Sequence, residues 1–268
     1  MPVTGKLTTI KLDLQGPVAR VMLARPEVHN AFNDTMIGEL TEVFEQLAVN
    51  NDVRVVVLGG EGKSLSAGAD VEWMRRMAGQ SEEENVADAA RMATMLYTID
   101  HLPKPVVMRV HGAALGGGVG LIACADIVIA SRDAKMGTTE VRLGILPSVI
   151  SPFVVRKIGY GRARAHFLLG DRFDAAWAFQ TGLVHRLVDH EVDLEDAVRD
   201  VVAQLLAGGP RAQSESKSLL SKLVAEPSLD AQRKLTVETI ARVRASEEGK
   251  EGLSAFLDKR KPAWHPAR

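Results

Sequence analysis

Internal disulfides are excluded, because the 268-residue chain has one cysteine, Cys124. That usage fits a reducing compartment, and a cytoplasmic location is expected. Excess charge of either sign is also lacking: the formal net charge is −1. A general nucleic-acid binder is usually basic, so no nucleic-acid partner is expected. No charge-free apolar run approaches the length needed to span a bilayer, so no membrane partner is expected either. The opening MPVTGKLTTIKLDLQG has no basic segment followed by an apolar run, and therefore does not read as a secretory leader. His101, His166, His185 and His190 are scattered without metal-ligand spacing, so no metal site is expected. Repeats, low-complexity tracts and long linkers are lacking too.

What remains is a globular composition, 46% hydrophobic and 25% charged. The length suits one large domain, or a domain with an appendage, and allows a sizeable core. Leu7, Ile10, Leu12 and Leu14 alternate before Gln15-Gly16, and Val18, Val21 and Leu23 alternate after it, which predicts a β-hairpin ended by Arg25-Pro26. Asn33 is placed to cap a helix with Met36, Ile37, Leu40, Val43, Phe44 and Leu47 on one face. Val53–Leu58 is a continuous apolar run, as in a strand buried on both faces, with Gly59-Gly60 to close it. Ser81 and Glu84 form a capping-box pattern that opens a second helix, broken by Pro103 and Pro105. Val106–Val110 reads as a strand, Val119–Ala125 as an apolar helix, and Ile127–Ala130 as another strand. The alternation predicts an α/β fold with right-handed crossovers between parallel strands. Beyond about residue 190 only amphipathic helices are expected, on apolar positions Leu194–Leu205, Ser216–Leu223, Leu235–Val243 and Leu253–Leu257. Such a terminal helical layer suits packing or oligomer contacts.

Two glycine loops follow predicted strands: Ser66-Ala67-Gly68-Ala69-Asp70, and Gly116-Gly117-Gly118 before a helix. Glycine lets a backbone approach a ligand closely. The free N–H groups of a helix N-terminus favour negative charge. Two such loops after adjacent strands can aim two N–H donors at one oxygen, an oxyanion hole. They also suit ordinary strand-to-helix turns. Neither GxGxxG in its proper place nor GxxxxGK[ST] occurs, and Asp70 is a poor neighbour for a phosphate.

In combination the segments become specific. SAGAD at 66–70, HGAALGGGVGLIACADIVIA at 111–130, GTTEVRLGILP at 137–147 and EGLSAFLDKRKPAWH at 251–265 resemble the crotonase (enoyl-CoA hydratase/isomerase) superfamily. ARPEVHNAFN at 24–33 resembles its N-terminal coenzyme A segment. The resemblance spans essentially the whole chain, in order. It implies a crotonase-like spiral of ββα repeats over residues 1–192 and a C-terminal helical oligomerisation region over 193–268, with self-association as a trimer or dimer of trimers. It implies an enoyl-CoA hydratase-like lyase with no separate cofactor, coenzyme A entering as part of the thioester substrate. The oxyanion donors implied are the N–H groups of Ala69 and Gly117. Arg25, His29, Ala31, Ala67, Gly68, Asp70 and Gly116 fall in segments that hold substrate, and Phe256 and Lys259 at positions that touch coenzyme A from a neighbouring subunit.

Hydratases of this family use two glutamates around a water. One position here is Glu140, in TTEVRLG; the other is Gly120, in GGGVG. One carboxylate can serve twice, since after deprotonating water it holds the proton that the α-carbon needs. The pattern most resembles bacterial methylglutaconyl-CoA and isohexenylglutaconyl-CoA hydratase-like members, which act in leucine and acyclic terpene breakdown. Their extra substrate carboxylate suits a cation, with Arg75, Arg76, Arg142 and His111 as candidates. Pro147-Ser148-Val149-Ile150-Ser151 replaces glycines common in mitochondrial-type hydratases and is expected to reshape the acyl pocket. Isomerisation, decarboxylation, and a non-catalytic or RNA-binding member remain alternatives. The 4-chlorobenzoyl-CoA dehalogenase-like reading lacks its aspartate. Cys124, Trp73 and Trp177 are expected in packing roles.

Overall fold

The computed structural model describes residues 7–265. β1 (Ile10–Gln15) and β2 (Val18–Leu23) form the antiparallel hairpin, Ile10 opposite Leu23. Asn33 caps α1 (Asp34–Val49) by accepting the Met36 N–H, and the six apolar residues predicted for one face are all buried. β3 (Val55–Gly60) lies parallel to β2. It starts later than the expected Val53 and takes in Gly59 and Gly60, which were expected to close it. Both glycines pair with β2, opposite Met22 and Leu23. A Cβ on Gly60 would stand 2.8 Å from the Leu65 carbonyl and 2.9 Å from Asn30 Nδ2, so the strand must end bare for the next loop to fold back on it.

The second cycle begins with α2 (Val71–Met77) and α3 (Glu82–Asp100), the latter with the predicted Ser81–Glu84 capping box. It continues through β4 (Val106–Val110), β5 (Ala113–Leu115) and α4 (Gly117–Cys124). Then come β6 (Ile127–Ser131), β7 (Lys135–Gly137), a 3-10 turn at Glu140–Leu143, α5 (Ser151–Ile158) and α6 (Tyr160–Leu169). β8 (Arg172–Asp174), α7 (Ala175–Gln180) and β9 (Arg186–Val188) close the α/β part. Four helices follow: α8 (Leu194–Ala207), α9 (Pro210–Ala225), α10 (Leu229–Ala245) and α11 (Glu247–Leu257).

The strands divide into two sheets. The larger runs β1-β2-β3-β4-β6-β9 and is parallel from β2 onward; the smaller runs β5-β7-β8. Chain order explains the division. β4 enters the large sheet and β5 the small one; β6 and β7 repeat that assignment, which makes each turn of the chain a ββα unit. The first turn carries a reduced version, in which Ser66 forms a single parallel bridge to Ala114 beside β5.

Both faces of the large sheet are covered, which accounts for the continuous apolar run in β3. Val56 and Leu58 join the main core with α1, α3 and α4, while Val55 and Val57 pack against Leu194, Ala197 and Val198 of α8. α9 to α11 bury one side chain among the described residues, Ala255. They leave Leu220, Val224, Val237, Leu253 and Phe256 exposed. The Lys217–Asp126 ion pair at 2.7 Å ties α9 to the loop before β6, and Arg54 donates to the Gly208 and Trp264 carbonyls.

Candidate active site

The first glycine loop is zipped to the segment that follows the hairpin. The Ala67 N–H donates to His29, the Phe32 N–H to Gly68, and the Asp70 N–H to Phe32. The last two bonds make Phe32 and Ala69 a parallel bridge. Peptide groups in extended chain alternate in direction, so a residue flanked by two such bonds turns its own N–H to the other side. The Ala69 N–H thus points away from Phe32, and no carbonyl among the described residues accepts it. Gly68, with φ +90°, makes the sharp approach; a Cβ there would sit 3.2 Å from the Leu115 carbonyl of the second loop.

The second loop meets the first at this point. Gly116 has φ 50° and ψ −114°, a combination open to glycine. Its N–H is spent on the Gly137 carbonyl at 2.9 Å. Gly117 opens α4, so its N–H has no partner within the helix. The helix dipole adds partial positive charge there. The two loops therefore present two uncommitted N–H groups, at Ala69 and Gly117, beside a close glycine-to-glycine contact.

Glu140 completes the cluster. A Cβ on Gly116 would stand 3.0 Å from Glu140 Oε1 and 4.0 Å from the Gly68 Cα, which places the carboxylate against Gly116, the point where the two loops meet. Glu140 Oε2 is shut away from solvent and has no hydrogen-bond partner among the described residues. Burial raises the Glu140 carboxyl above its ordinary range, and its own backbone N–H offsets part of that. Buried polar atoms are nearly always paired. An unpaired carboxylate oxygen on a side chain seated where the two loops meet suits a proton acceptor.

Along the same face of α4, Gly120 lies one turn beyond Gly116. A Cβ on Gly120 would meet Ile150 Cγ2 at 2.4 Å and Leu96 Cδ1 at 3.6 Å. Hydrocarbon therefore fills the place of the second carboxylate. Ile150, Leu96, Met92 and Phe32 wall this end of α4, and none of them was singled out by sequence as a site residue. The signal for Ile150 lay in the stretch Pro147–Ser151, whose lack of glycine marks a changed wall. Ser148 and Ser151 make a turn, Ser151 Oγ donating to the Ser148 carbonyl at 2.6 Å.

Arg25 donates to the Ala31 carbonyl at 2.7 Å and to Asp70 at 2.9 Å. Asp70 also caps α2 through the Glu72 and Trp73 N–H groups. Burial alone would raise the Asp70 carboxyl; Arg25 and the two backbone donors outweigh it and hold it low. His29 is exposed in a left-handed conformation, its Nδ1 3.1 Å from Ser64 Oγ. Arg25, His29, Ala31, Ala67, Gly68 and Asp70 thus gather into one unit. Phe256 and Lys259 do not join it: Phe256 is exposed on α11, which packs on α9 and α10, and Lys259 follows the helix with φ 55°. Of the candidate cations, Arg75 pairs with Glu72 and Arg76 with Asp34. His111 is buried between Gly62 and Arg109. Arg142 is exposed on the turn that begins with Glu140. Cys124 is buried, and burial drives its thiol pKa well up, away from reactivity.

Known proteins resemble this chain in sequence and in fold. The family described as Enoyl-CoA hydratase/isomerase matches residues 13–267. An enoyl-CoA hydratase structure from Shewanella pealeana superposes with a TM-score of 0.94 at 41% identity, covering 97% of each chain. Pseudomonas aeruginosa AtuE superposes at 0.92 with 35% identity, over 97% of this chain and 100% of that one. A crotonyl-CoA hydratase from Syntrophomonas wolfei is 32% identical over 94% of this chain and 96% of its own length.

Proposed function

The chain belongs to the enoyl-CoA hydratase/isomerase family and is an enoyl-CoA hydratase-type lyase, and on that footing we propose that it hydrates a 2-enoyl-CoA of the 3-methylglutaconyl type through Glu140. The observation that carries this reading is the buried, unpaired Oε2 of Glu140, a side chain seated at Gly116, where the loops carrying the uncommitted Ala69 and Gly117 N–H groups meet. In the mechanism, water's O–H bond breaks and its proton passes to Glu140. The C3–O bond forms, and the C2=C3 electron pair moves onto the thioester oxygen as an enolate. The Ala69 and Gly117 amides hold that oxygen. The proton on Glu140 then goes to C2 as the carbonyl reforms, so that H and OH have been added. Losing one such donor typically costs about 3–4 kcal/mol. Burial suits Glu140 to the exchange, since it brings the carboxyl's affinity for a proton closer to that of the groups it serves.

The substrate class rests on the motifs around the site and on the chain's resemblance to the methylglutaconyl-CoA group. Of the candidate cations, Arg142 shares the turn of Glu140, and on that ground it is taken as the partner of a distal carboxylate. Assembly as a trimer or dimer of trimers follows the same resemblance and would give Phe256 and Lys259 a coenzyme A on a neighbouring subunit. The exposed apolar positions of α9 to α11 support that reading.

A second reading, Δ3–Δ2 isomerisation, is favoured by the bare turn at Gly120, because a 1,3-proton shift needs one carboxylate. A panel of acyl-CoA thioesters that includes 3-methylglutaconyl-CoA and crotonyl-CoA decides by product mass. Addition of one water, highest with 3-methylglutaconyl-CoA, supports hydration. An unchanged mass with a moved double bond supports isomerisation, and loss of carbon dioxide a decarboxylase.

A further inference from the structure

The first turn of α4 is closed to side chains. A Cβ on Gly117 would strike Met92 Cε at 2.9 Å, one on Gly118 the Ser66 carbonyl at 3.2 Å, and one on Gly120 Ile150 Cγ2 at 2.4 Å. Gly120 is the tightest of the three. The obstructing atom is a methyl on a β-branched carbon, and Ile150 Cβ itself is 3.1 Å away. It moves aside only if χ1 rotates or the backbone shifts, and both are restricted in a packed core. Ile150 is 4% exposed.

One segment supplies both features. Glu140 stands against Gly116, and ten residues later Ile150 stands against Gly120, one helical turn along the same face of α4. The Ile145 N–H donates to the Glu140 carbonyl, and Ile150 immediately precedes α5. We infer that Ile150 is a specificity-determining residue: by filling the turn of α4 that follows the one facing Glu140, it commits the site to reactions served by a single proton carrier. The inference rests on the reaction proposed above. It adds that a linear thioester, which offers the site no further polar handle, turns over slowly.

The test uses the full-length protein, Gly120→Glu, Ile150→Ala and the double variant, with thermal melting and crotonyl-CoA hydration as readouts. Gly120→Glu alone is expected to lower Tm by roughly 5 °C or more through overpacking. In the double variant Ile150→Ala is expected to restore most of that loss. The folded double variant is expected to hydrate crotonyl-CoA at least about tenfold faster than Gly120 protein, and its kcat/KM should gain a second ionisation limb. A Gly120→Glu protein that melts with the wild type overturns the inference. So does a folded double variant with neither faster hydration nor a second limb. If the unaltered protein adds water to no thioester, the proposed reaction falls, while the melting cycle still decides whether Ile150 bars a side chain at 120.

Discussion

Arg25 Nη2 lies 2.9 Å from Asp70 Oδ2, so the end of the first hairpin is fastened to the residue that directly follows Ala69. Asp70 accepts from α2 as well, and both side chains of the pair are largely buried. Asp70→Ala removes a helix cap worth about 1 kcal/mol and strands a guanidinium whose charged hydrogen bond is worth about 1.5–3 kcal/mol. Urea denaturation should show a combined loss of about 2–4 kcal/mol. Asp70→Asn keeps the cap and should lose less. Equal losses would mean that the cap contributes nothing; an Asp70→Asn protein as stable as the wild type would mean that the ion pair contributes nothing.

Glu140 gives the second prediction. Glu140→Gln should lower kcat roughly 10²–10⁴-fold while leaving the affinity for a saturated acyl-CoA within about threefold. Near-normal turnover would end its assignment as the proton carrier.

Its environment sets the pH dependence. Burial raises the Glu140 carboxyl above 4.5, so the ionised base appears only above that pH. The acid limb of kcat/KM should therefore rise through one ionisation placed above an ordinary glutamate's. The sign for stability is the reverse. A carboxyl with a raised folded-state pKa contributes stability that is complete below its unfolded value and lost as pH climbs through the folded one. Glu140→Gln should accordingly gain stability relative to wild type above that window, as read by Tm measured across pH.

Gly116 combines φ 50° with ψ −114°, and a Cβ there would stand 3.0 Å from Glu140 Oε1. Gly116→Ala should cost about 1–3 kcal/mol in backbone strain. It should also push the carboxylate off its seat, so kcat should fall by more than the melting temperature alone would suggest. Parallel calorimetry and steady-state kinetics check the two effects separately.

His185 supplies a prediction away from the site. The Val128 N–H donates to His185 Nδ1 at 2.9 Å, which an imidazolium cannot accept. Burial and the nearby Lys157 charge push the imidazole down to about 4. Its neutral form contributes stability that is present above 6.5 and is lost as pH falls toward 4. A histidine NMR titration should show His185 neutral at pH 5.5; a midpoint near 6.5 would refute this.

α1, α3, α4, the C-terminal helices and the buried strands were legible in sequence because each carries its own local signal, whereas α5 and α6 were not set apart. Asn33 and the Ser81–Glu84 box mark helix starts, and the apolar periods mark faces. β5, β7, β8 and β9 are three residues each, too short for any period to register. α2 is only 7 residues long, too short for an apolar period to set its bounds. At the site, the glycine loops and Glu140 were readable as residue types in order. The filling of the Gly120 gap by Ile150 was not, because it depends on residues 30 apart in sequence meeting in space. Gly59 and Gly60 misled for a related reason. They read as a turn, yet their bareness serves the loop that packs over the strand's end.

The bridge between Phe32 and Ala69 has a consequence for how such a site changes over time. The direction of the Ala69 amide is set by two hydrogen bonds made by its neighbours, and no side chain at 69 takes part. The proposed oxyanion donor is thus written in a pairing rather than in a letter. Side-chain scanning passes over it, because position 69 is already alanine. Replacing that amide by an ester deletes the donor and leaves every side chain in place. Drift at 69 is then limited by the room beside the loop, and drift at 32 by the need for a backbone N–H, which proline alone lacks.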